Sequence, residues 1–379
     1  MISRIYSNLE TFLEPGRVLA IFGPRRAGKT TLIQQYLATT HWKYKLDFGD
    51  NIRTQEILSS RDFKKILDYA EGYDLLVIDE AQEIPHIGLG LKILVDHMPS
   101  LRIIATGSSS FELSNQIGEP LTGRKRTLTL YPISQQELAT KWNSHEMHEH
   151  IEDILIFGSY PEVLTAKTKE KKRELLNELA NSYLLKDILA LEQVKGSKYL
   201  LDLLKLLAFQ IGKEVSYQEL ARQLHLSVKT VQRYLDLFEK AFVVVRVGGY
   251  SRNLRSEVSR KSKYYFYDTG LRNAIISQFN DVSDRSDVGE LWENFLFIER
   301  MKYRSYQNIY ATSYYWRTYN GQEIDLVEEG EGELRGYEFK WSSNRRPSTP
   351  TLWKETYPDA TFEFINPENF LSFVTLKNS

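Results

Sequence analysis

Eight consecutive residues, Gly23-Pro24-Arg25-Arg26-Ala27-Gly28-Lys29-Thr30, set two glycines, a lysine and a hydroxyl in the spacing G-x-x-x-x-G-K-T. The chemistry that needs this set is the holding of a nucleoside triphosphate. Gly23 and Gly28 let the backbone curl so that its N–H groups face phosphate oxygens. The Lys29 ammonium reaches the β- and γ-phosphates, and the Thr30 hydroxyl is a ligand for Mg²⁺. Residues 23–31, ending on Thr31, are therefore the candidate ATP-binding stretch. A glycine turn that merely precedes a helix would not require all eight positions. Asp79-Glu80 supplies the complementary acids: Asp79 to hold Mg²⁺ through water, Glu80 to orient or deprotonate the attacking water. Lys29, Glu80 and Arg124 are the candidate catalytic residues, Arg124 as a phosphate-sensing arginine acting on its own or a neighbouring subunit. A solvated basic turn, Thr122-Gly123-Arg124-Lys125-Arg126, is the alternative for Arg124.

The flanks supply the elements such a site needs. Residues 18–22 (Val-Leu-Ala-Ile-Phe) form the short apolar run of a buried parallel strand, and residues 31–38 carry apolar side chains at helical spacing. Strand, loop and helix follow in the order a phosphate-binding loop requires. Residues 75–78 make a second buried strand, and a carboxylate at its end is costly unless it meets a cation. Residues 101–105 make a third, closed by Thr106-Gly107-Ser108-Ser109-Ser110. Thr106 and Ser108 are candidate sensors of the γ-phosphate or of the attacking water. A Ser/Gly turn capping the next helix is the alternative. Leu46-Asp47-Phe48 ends a further strand.

Composition excludes several classes. The 379 residues are 42% apolar and 26% charged, with formal net charge −1, so no uniformly basic nucleic-acid coat is present, although a local basic face is allowed. Two to three domains are expected at this length. With no cysteine, disulfides, iron–sulfur clusters and thiol catalysis are excluded. The first 14 residues lack a signal-peptide pattern and no run of 18 apolar residues exists, so a cytoplasmic, non-membrane protein is expected. The close-set His145, His148 and His150 fit a solvated helix end better than a metal site.

The N-terminal motifs resemble AAA-type P-loop ATPases, and specifically a bacterial and archaeal group with an uncharacterised C-terminal half. Besides the phosphate loop, Ile78-Asp79-Glu80-Ala81-Gln82, Tyr131-Pro132-Ile133-Ser134 and Gly158-Ser159-Tyr160-Pro161-Glu162 look like that group's landmarks, as does Lys263-Tyr264-Tyr265-Phe266-Tyr267-Asp268-Thr269-Gly270-Leu271. The resemblance implies a helical lid and homo-oligomers or a partner protein.

The middle of the chain has helix-turn-helix patterning. Residues 167–208 are helical. Ser216 and Glu219 predict a capping box, and Ser227 caps a second helix with Val228, Val231 and Leu235 on one face. Lys229, Gln232 and Arg233 point elsewhere, towards a major groove. Residues 243–247 and 264–267 predict a hairpin wing. Between 246 and 263 stand Arg246, Arg252, Arg255, Arg260, Lys261 and Lys263 against Glu257 alone. Arg252 and Arg255 are candidate phosphate-backbone contacts. Winged helices also serve as protein-interaction modules or lids.

Towards the C-terminus a helix over residues 289–303 carries Glu293. Asp325 lies in Gln322-Glu323-Ile324-Asp325-Leu326-Val327, and Glu338 and Lys340, two apart on a strand, share one face. Asp325 and Glu338 would bind Mg²⁺, Lys340 would stabilise the attacking hydroxide or the phosphorus, and Glu293 would approach from the helix. The spacing resembles the PD-(D/E)xK nuclease superfamily. A structural hairpin with alternating charges is the alternative, and the Glu-rich turn over residues 328–333 is expected to face solvent.

The expected architecture is α/β throughout. A P-loop AAA-type parallel-sheet ATPase spans 1–165, a helical lid and winged helix 166–270, and an α/β restriction-endonuclease-like domain 271–379. Three functions follow: an ATP-hydrolysing switch coupled to a DNA-binding winged helix, an ATP-gated Mg²⁺-dependent nuclease, or a non-catalytic nucleotide-dependent interaction module. ATP and Mg²⁺ are the expected cofactors and DNA the expected macromolecular partner.

Overall fold

The computed structural model describes residues 2–108, 121–184, 197–251, 261–318, 320–342 and 348–376. Two sheets organise the chain. The first has five strands, β1 (Val18–Phe22), β2 (Tyr44–Phe48), β3 (Leu75–Asp79), β4 (Arg102–Thr106) and β5 (Lys125–Thr129), in the order β2-β3-β4-β1-β5. Every pairing in it is parallel. Parallel strands need helical crossovers on both faces, which explains the unbroken apolar runs in β1 and β3. Alternate residues separate cleanly. Val18, Ala20 and Phe22 pack with Leu91 and Leu94 of the helix Ile87–His97. Leu19 and Ile21 pack with Leu32, Ile33 and Tyr36 of the helix Lys29–Leu37.

The second sheet has six strands: β6 (Val244–Gly249), β7 (Ser262–Phe266), β8 (Thr312–Arg317), β9 (Glu323–Gly330), β10 (Glu333–Phe339) and β11 (Thr361–Ile365), in the order β11-β10-β9-β8-β6-β7. The expected hairpin is β6 and β7, antiparallel, with Val244 opposite Phe266. It is not a free wing. Gly248 and Gly249 of β6 pair with Tyr314 and Tyr315 of β8, so the hairpin extends the C-terminal sheet across residue 270.

The two helices before the hairpin, Tyr217–Leu224 and Val228–Lys240, begin where their caps predict. Ser216 accepts from Glu219 N and Ser227 from Thr230 N. The left-handed backbone of His225 closes the first helix. Val231 and Leu235 are buried as expected, whereas Val228 sits at an exposed rim.

Two landmark motifs meet in a buried joint. Asp268 caps the helix Thr269–Ile275 through Leu271 N (2.9 Å) and accepts from Ser159 N (2.7 Å). A Cβ on Gly158 would lie 2.0 Å from Asp268 Oδ1, and one on Gly270 would lie 2.1 Å from the Phe157 carbonyl oxygen. Both glycines are therefore required by close approach, and Gly158 also by its φ of +72°. Among the described residues no helix is long and apolar enough to cross a membrane.

Candidate functional site

The phosphate loop follows β1 and opens the helix Lys29–Leu37. Gly23 and Gly28 have φ of +148° and +98°, and a Cβ at Gly23 would lie 2.1 Å from the Leu130 carbonyl oxygen. Only glycine fits either position. Lys29 is buried, and its ammonium donates to the carbonyls of Gly23 (2.9 Å) and Pro24 (3.0 Å). Its charge is thus held inside the curled loop. Thr30 Oγ1 donates to Asp79 Oδ2 at 2.7 Å, across from β1 to the end of β3. Thr106 donates its hydroxyl proton to Asp79 Oδ1, and the same Thr106 oxygen accepts from Glu80 N at 3.1 Å. Loop, acidic pair and candidate sensor Thr106 therefore converge. Glu80 adopts a left-handed conformation, φ +52°, which is strained for a glutamate and turns its side chain out of the strand; Gln82 Nε2 donates to it. Ser108 is buried nearby in sequence, just past β4.

The two loop arginines point to the rest of the protein. Arg26 bridges to Glu162 (3.2 Å) and Glu178 (2.8 Å), and Arg25 lies 4.0 Å from Glu83. Pro161 Cγ approaches to 3.9 Å of where a Gly28 Cβ would stand, so the Gly158–Glu162 landmark closes over the loop.

Arg124 does not join this site in its own chain. It precedes β5, beside Val18 at the start of β1, while the phosphate loop follows the end of β1. Four strand steps, about 13 Å, separate the two ends. Arg124 is instead paired with Asp96 at 2.7 Å on the surface.

A second cluster forms at the C-terminal sheet. Asp325 of β9 and Glu338 of β10 come together with Lys340, whose ammonium lies 2.5 Å from Glu338 Oε1. Asp325 Oδ2 accepts from Phe339 N at 2.8 Å. Burial, then the Glu338 charge, pushes the Asp325 carboxyl up to about 7, and burial likewise raises Glu338. Glu338 Oε2 is buried with no partner among the described residues. Glu293, from the helix Val288–Gln307, reaches the same cluster, but its Oε1 is already held by Lys263 (3.0 Å) and Tyr265 (2.6 Å). Burial and Asp325 raise its pKa to about 7. Gly212 closes over it, since a Cβ there would stand 3.0 Å from Glu293 Oε2.

Lys263 corrects the basic count of the hairpin. It is buried, bridges Glu293 and Glu323 (2.7 Å), and is unavailable to a phosphate backbone. Burial opposes its charge, but Glu293, Asp325 and Glu323 outweigh burial and raise its pKa. Glu328 is also corrected: β9 continues through it, it is buried, and Arg300 and Arg304 grip both its oxygens. Lys229, Gln232 and Arg233 are exposed on the helix Val228–Lys240, whereas Arg252 and Arg255 lie outside the described residues.

Among the described residues no three acidic or histidine side chains are arranged to hold a metal ion by themselves. The donor sets still suit Mg²⁺, which takes one or two carboxylates and completes its shell with water and phosphate. Thr30 with Asp79 is one such set, and Asp325 with Glu338, carrying an orphaned carboxylate oxygen, is the other.

Residues 15–139 match the family described as AAA domain. Residues 148–282 match a domain of unknown function (DUF8612), and residues 288–367 match another (DUF4143). The uncharacterized protein Rv2008c of Mycobacterium tuberculosis is 28% identical over 354 residues, which is 91% of this chain and 74% of that protein. The uncharacterized protein MJ1544 of Methanocaldococcus jannaschii is 24% identical over 87% of this chain and 76% of its own length. Among solved structures, a signal transduction ATPase with numerous domains (STAND) protein with a tetratricopeptide repeat sensor, from Pyrococcus horikoshii, aligns with 80% of this chain and 45% of that chain, at 13% identity and a TM-score of 0.29. The matched segment and the loop geometry make the N-terminal part an AAA-type P-loop domain within a mixed α/β chain.

Proposed function

We propose that the chain is an ATP-hydrolysing switch whose nucleotide state is transmitted to its C-terminal half. Its functional parts are the ATPase unit of 1–165, the helical and helix-turn-helix unit of 166–270, whose β6–β7 hairpin is shared with the sheet of the third, and the nuclease-like unit of 271–379. The observation that carries this reading is the Thr30–Asp79–Thr106 chain, with Glu80 N bonded to Thr106, at the mouth of a glycine-curled loop holding Lys29. Residues 23–31 bind ATP, with the loop N–H groups and Lys29 on the phosphates. Thr30 and Asp79 hold Mg²⁺, which supplies charge neutralisation on the phosphate oxygens when bound. Glu80 orients water for attack, and Thr106 couples it to Asp79. Ser108 is a second candidate sensor. Any phosphate-sensing role of Arg124 belongs to a second copy of the chain, since its own loop is out of reach.

Steady-state ATP turnover with Mg²⁺ tests the assignment. Glu80→Gln is expected to lower kcat by about 10²–10⁴, the usual range for a positioned general base. Its ATP affinity is expected to stay within about twofold, because the side chain does not hold the phosphates in the ground state. Equal turnover by the two proteins would remove Glu80 from the chemistry.

The exposed Lys229, Gln232 and Arg233 carry the DNA-binding part of the reading, with Arg252 and Arg255 as further candidates. If they contact phosphates, Lys229→Ala with Arg233→Ala weakens duplex binding across all sequences and lowers the salt slope by about 2. Gel shifts over a salt series measure this, and an unchanged slope would remove these side chains from the interface.

One specific observation favours a second reading, a Mg²⁺-dependent nuclease gated by ATP. Asp325, Glu338 and Lys340 converge as that chemistry needs, with Glu338 Oε2 unpartnered. Glu293, held by Lys263 and Tyr265, would orient the cluster from the helix.

A further inference from the structure

We infer that Arg4 is a positioning residue that ties the phosphate loop to the helix Val288–Gln307, and through that helix to the carboxylate–lysine cluster at its other end. The inference rests on the ATP-binding reading and names how that site and the cluster are regulated together.

Arg4 is buried and splits its guanidinium among three acceptors on two segments. Nη1 donates to the Ala27 carbonyl at 2.5 Å, Nε to Glu137 Oε1 at 2.8 Å, and Nη2 to the Tyr131 carbonyl at 2.6 Å. A buried guanidinium is tolerated only when so paired, and the planar fork fixes its partners relative to one another. The Ala27 bond has a direct consequence for the phosphate site. In a trans peptide the C=O of Ala27 and the N–H of Gly28 point in opposite directions. By holding the oxygen on one side, Arg4 aims the Gly28 N–H to the other, where a phosphate meets the loop.

The far side of the same contact is the long helix. Tyr131, whose carbonyl accepts from Arg4, donates its own N–H to the Tyr306 hydroxyl at 3.3 Å. Two further residues on that helix hold the following backbone. Lys302 Nζ lies 3.4 Å from the Ile133 carbonyl, and Glu299 accepts from Gln135 N at 2.7 Å. Residues 299, 302 and 306 form one helical stripe. Residues 131–137 are thus clamped between Arg4 and that stripe. Glu137 completes the clamp by accepting from Ile5 N (2.9 Å) and Ser134 N (2.9 Å).

At its other end the same helix carries Glu293, bonded to Lys263 and Tyr265, and Asn294, which both accepts from and donates to the Phe266 backbone. Glu293 and Tyr306 are thirteen residues apart, about 20 Å along the axis. A continuous helix gripped at both ends shifts as a body. Movement of the Ala27–Gly28 peptide on nucleotide binding therefore displaces Glu293 relative to Asp325.

Hydrogen exchange of the full chain, with and without a non-hydrolysable ATP analogue and Mg²⁺, tests the connection. In wild type the analogue is expected to slow exchange in residues 23–31 and also to change it in β7 and β9. Tyr306→Phe removes one hydroxyl and keeps the ring. It is expected to bind the analogue within about threefold of wild type, while the change in β7 and β9 shrinks, because it removes one of the three helix contacts on the connection and none at the phosphates. Arg4→Lys keeps the charge and loses the fork, and is expected to weaken the analogue roughly tenfold. Wild type that binds the analogue with β7 and β9 unchanged overturns the inference and leaves the ATP-binding reading intact. So does a Tyr306→Phe protein with the full remote response. Wild type that takes up no analogue defeats both.

Discussion

Replacing Lys29 by Ala is expected to abolish productive ATP binding, with affinity falling by about 10²–10⁴. The magnitude follows from two charge-assisted hydrogen bonds to phosphate, each worth about 1.5–3 kcal/mol, at about 1.4 kcal/mol per decade. The fold itself is expected to survive. Among the described residues Lys29 donates within its own loop, to Gly23 and Pro24, and the strands beneath are held by apolar packing. Titration with a fluorescent ATP analogue, alongside far-UV circular dichroism to confirm folding, separates the two effects. A folded Lys29→Ala protein with wild-type affinity would show that the loop is not a phosphate site. Thr30→Ala is a useful companion, since it removes the hydroxyl bonded to Asp79 and leaves the ammonium in place.

Why the nucleotide site could be inferred from the chain, and the second cluster only in part, has a physical basis. The phosphate loop is local. Its chemistry lies in eight adjacent residues, and its neighbours β1 and β3 announce themselves as unbroken apolar runs because both their faces are buried. Thr106 was reachable for the same reason, as a polar residue closing a buried strand. Arg4 was not, because its role depends on partners more than 120 positions away, Tyr131 and Glu137, and on one carbonyl in the loop. Lys263 is the opposite case. Its own neighbourhood, rich in Arg and Lys, predicts an exposed basic hairpin, yet the pairing of β6 with β8 turns β7 towards the acidic cluster. Charge type is readable locally, but burial of that charge is set by sheet partners. Glu328 shows this again, since an acidic stretch reads as solvent-facing until Arg300 and Arg304, a helix away in sequence, are placed over it. Arg124 stands away from the loop of its own subunit for a topological reason: it precedes β5 at the N-terminal edge of the parallel sheet, whereas the phosphate loop leaves the C-terminal edge of β1, and a motif does not state its edge.

Asp325→Asn distinguishes a chemical cluster from a structural one by the sign of its effect on stability. Burial and the Glu338 charge hold the Asp325 proton up to about 7, against an unfolded value near 3.9. The native state therefore binds more protons than the unfolded chain between those values, and stability falls as pH rises through that interval. The destabilisation is absent below about pH 4 and complete above about pH 7. Asparagine keeps an oxygen to accept from Phe339 N and removes the charge that opposes Glu338. The variant is therefore expected to melt higher than wild type at pH 8, on the order of 5 °C, with the difference shrinking towards pH 5. A stabilised variant is the mark of a site kept under electrostatic strain for binding. Divalent cation supplies the second arm. At pH 8, Mn²⁺ is expected to raise the melting temperature of wild type and not of Asp325→Asn, because only the wild-type pair offers two carboxylates. If the variant instead melts lower at both pH values, Asp325 is a structural partner of the Phe339 amide. Lys340 and Glu338 would then form an ordinary ion pair, and the nuclease-like reading would lose its metal. Because the melting shift needs no substrate, it can be read before any nucleic acid target is identified.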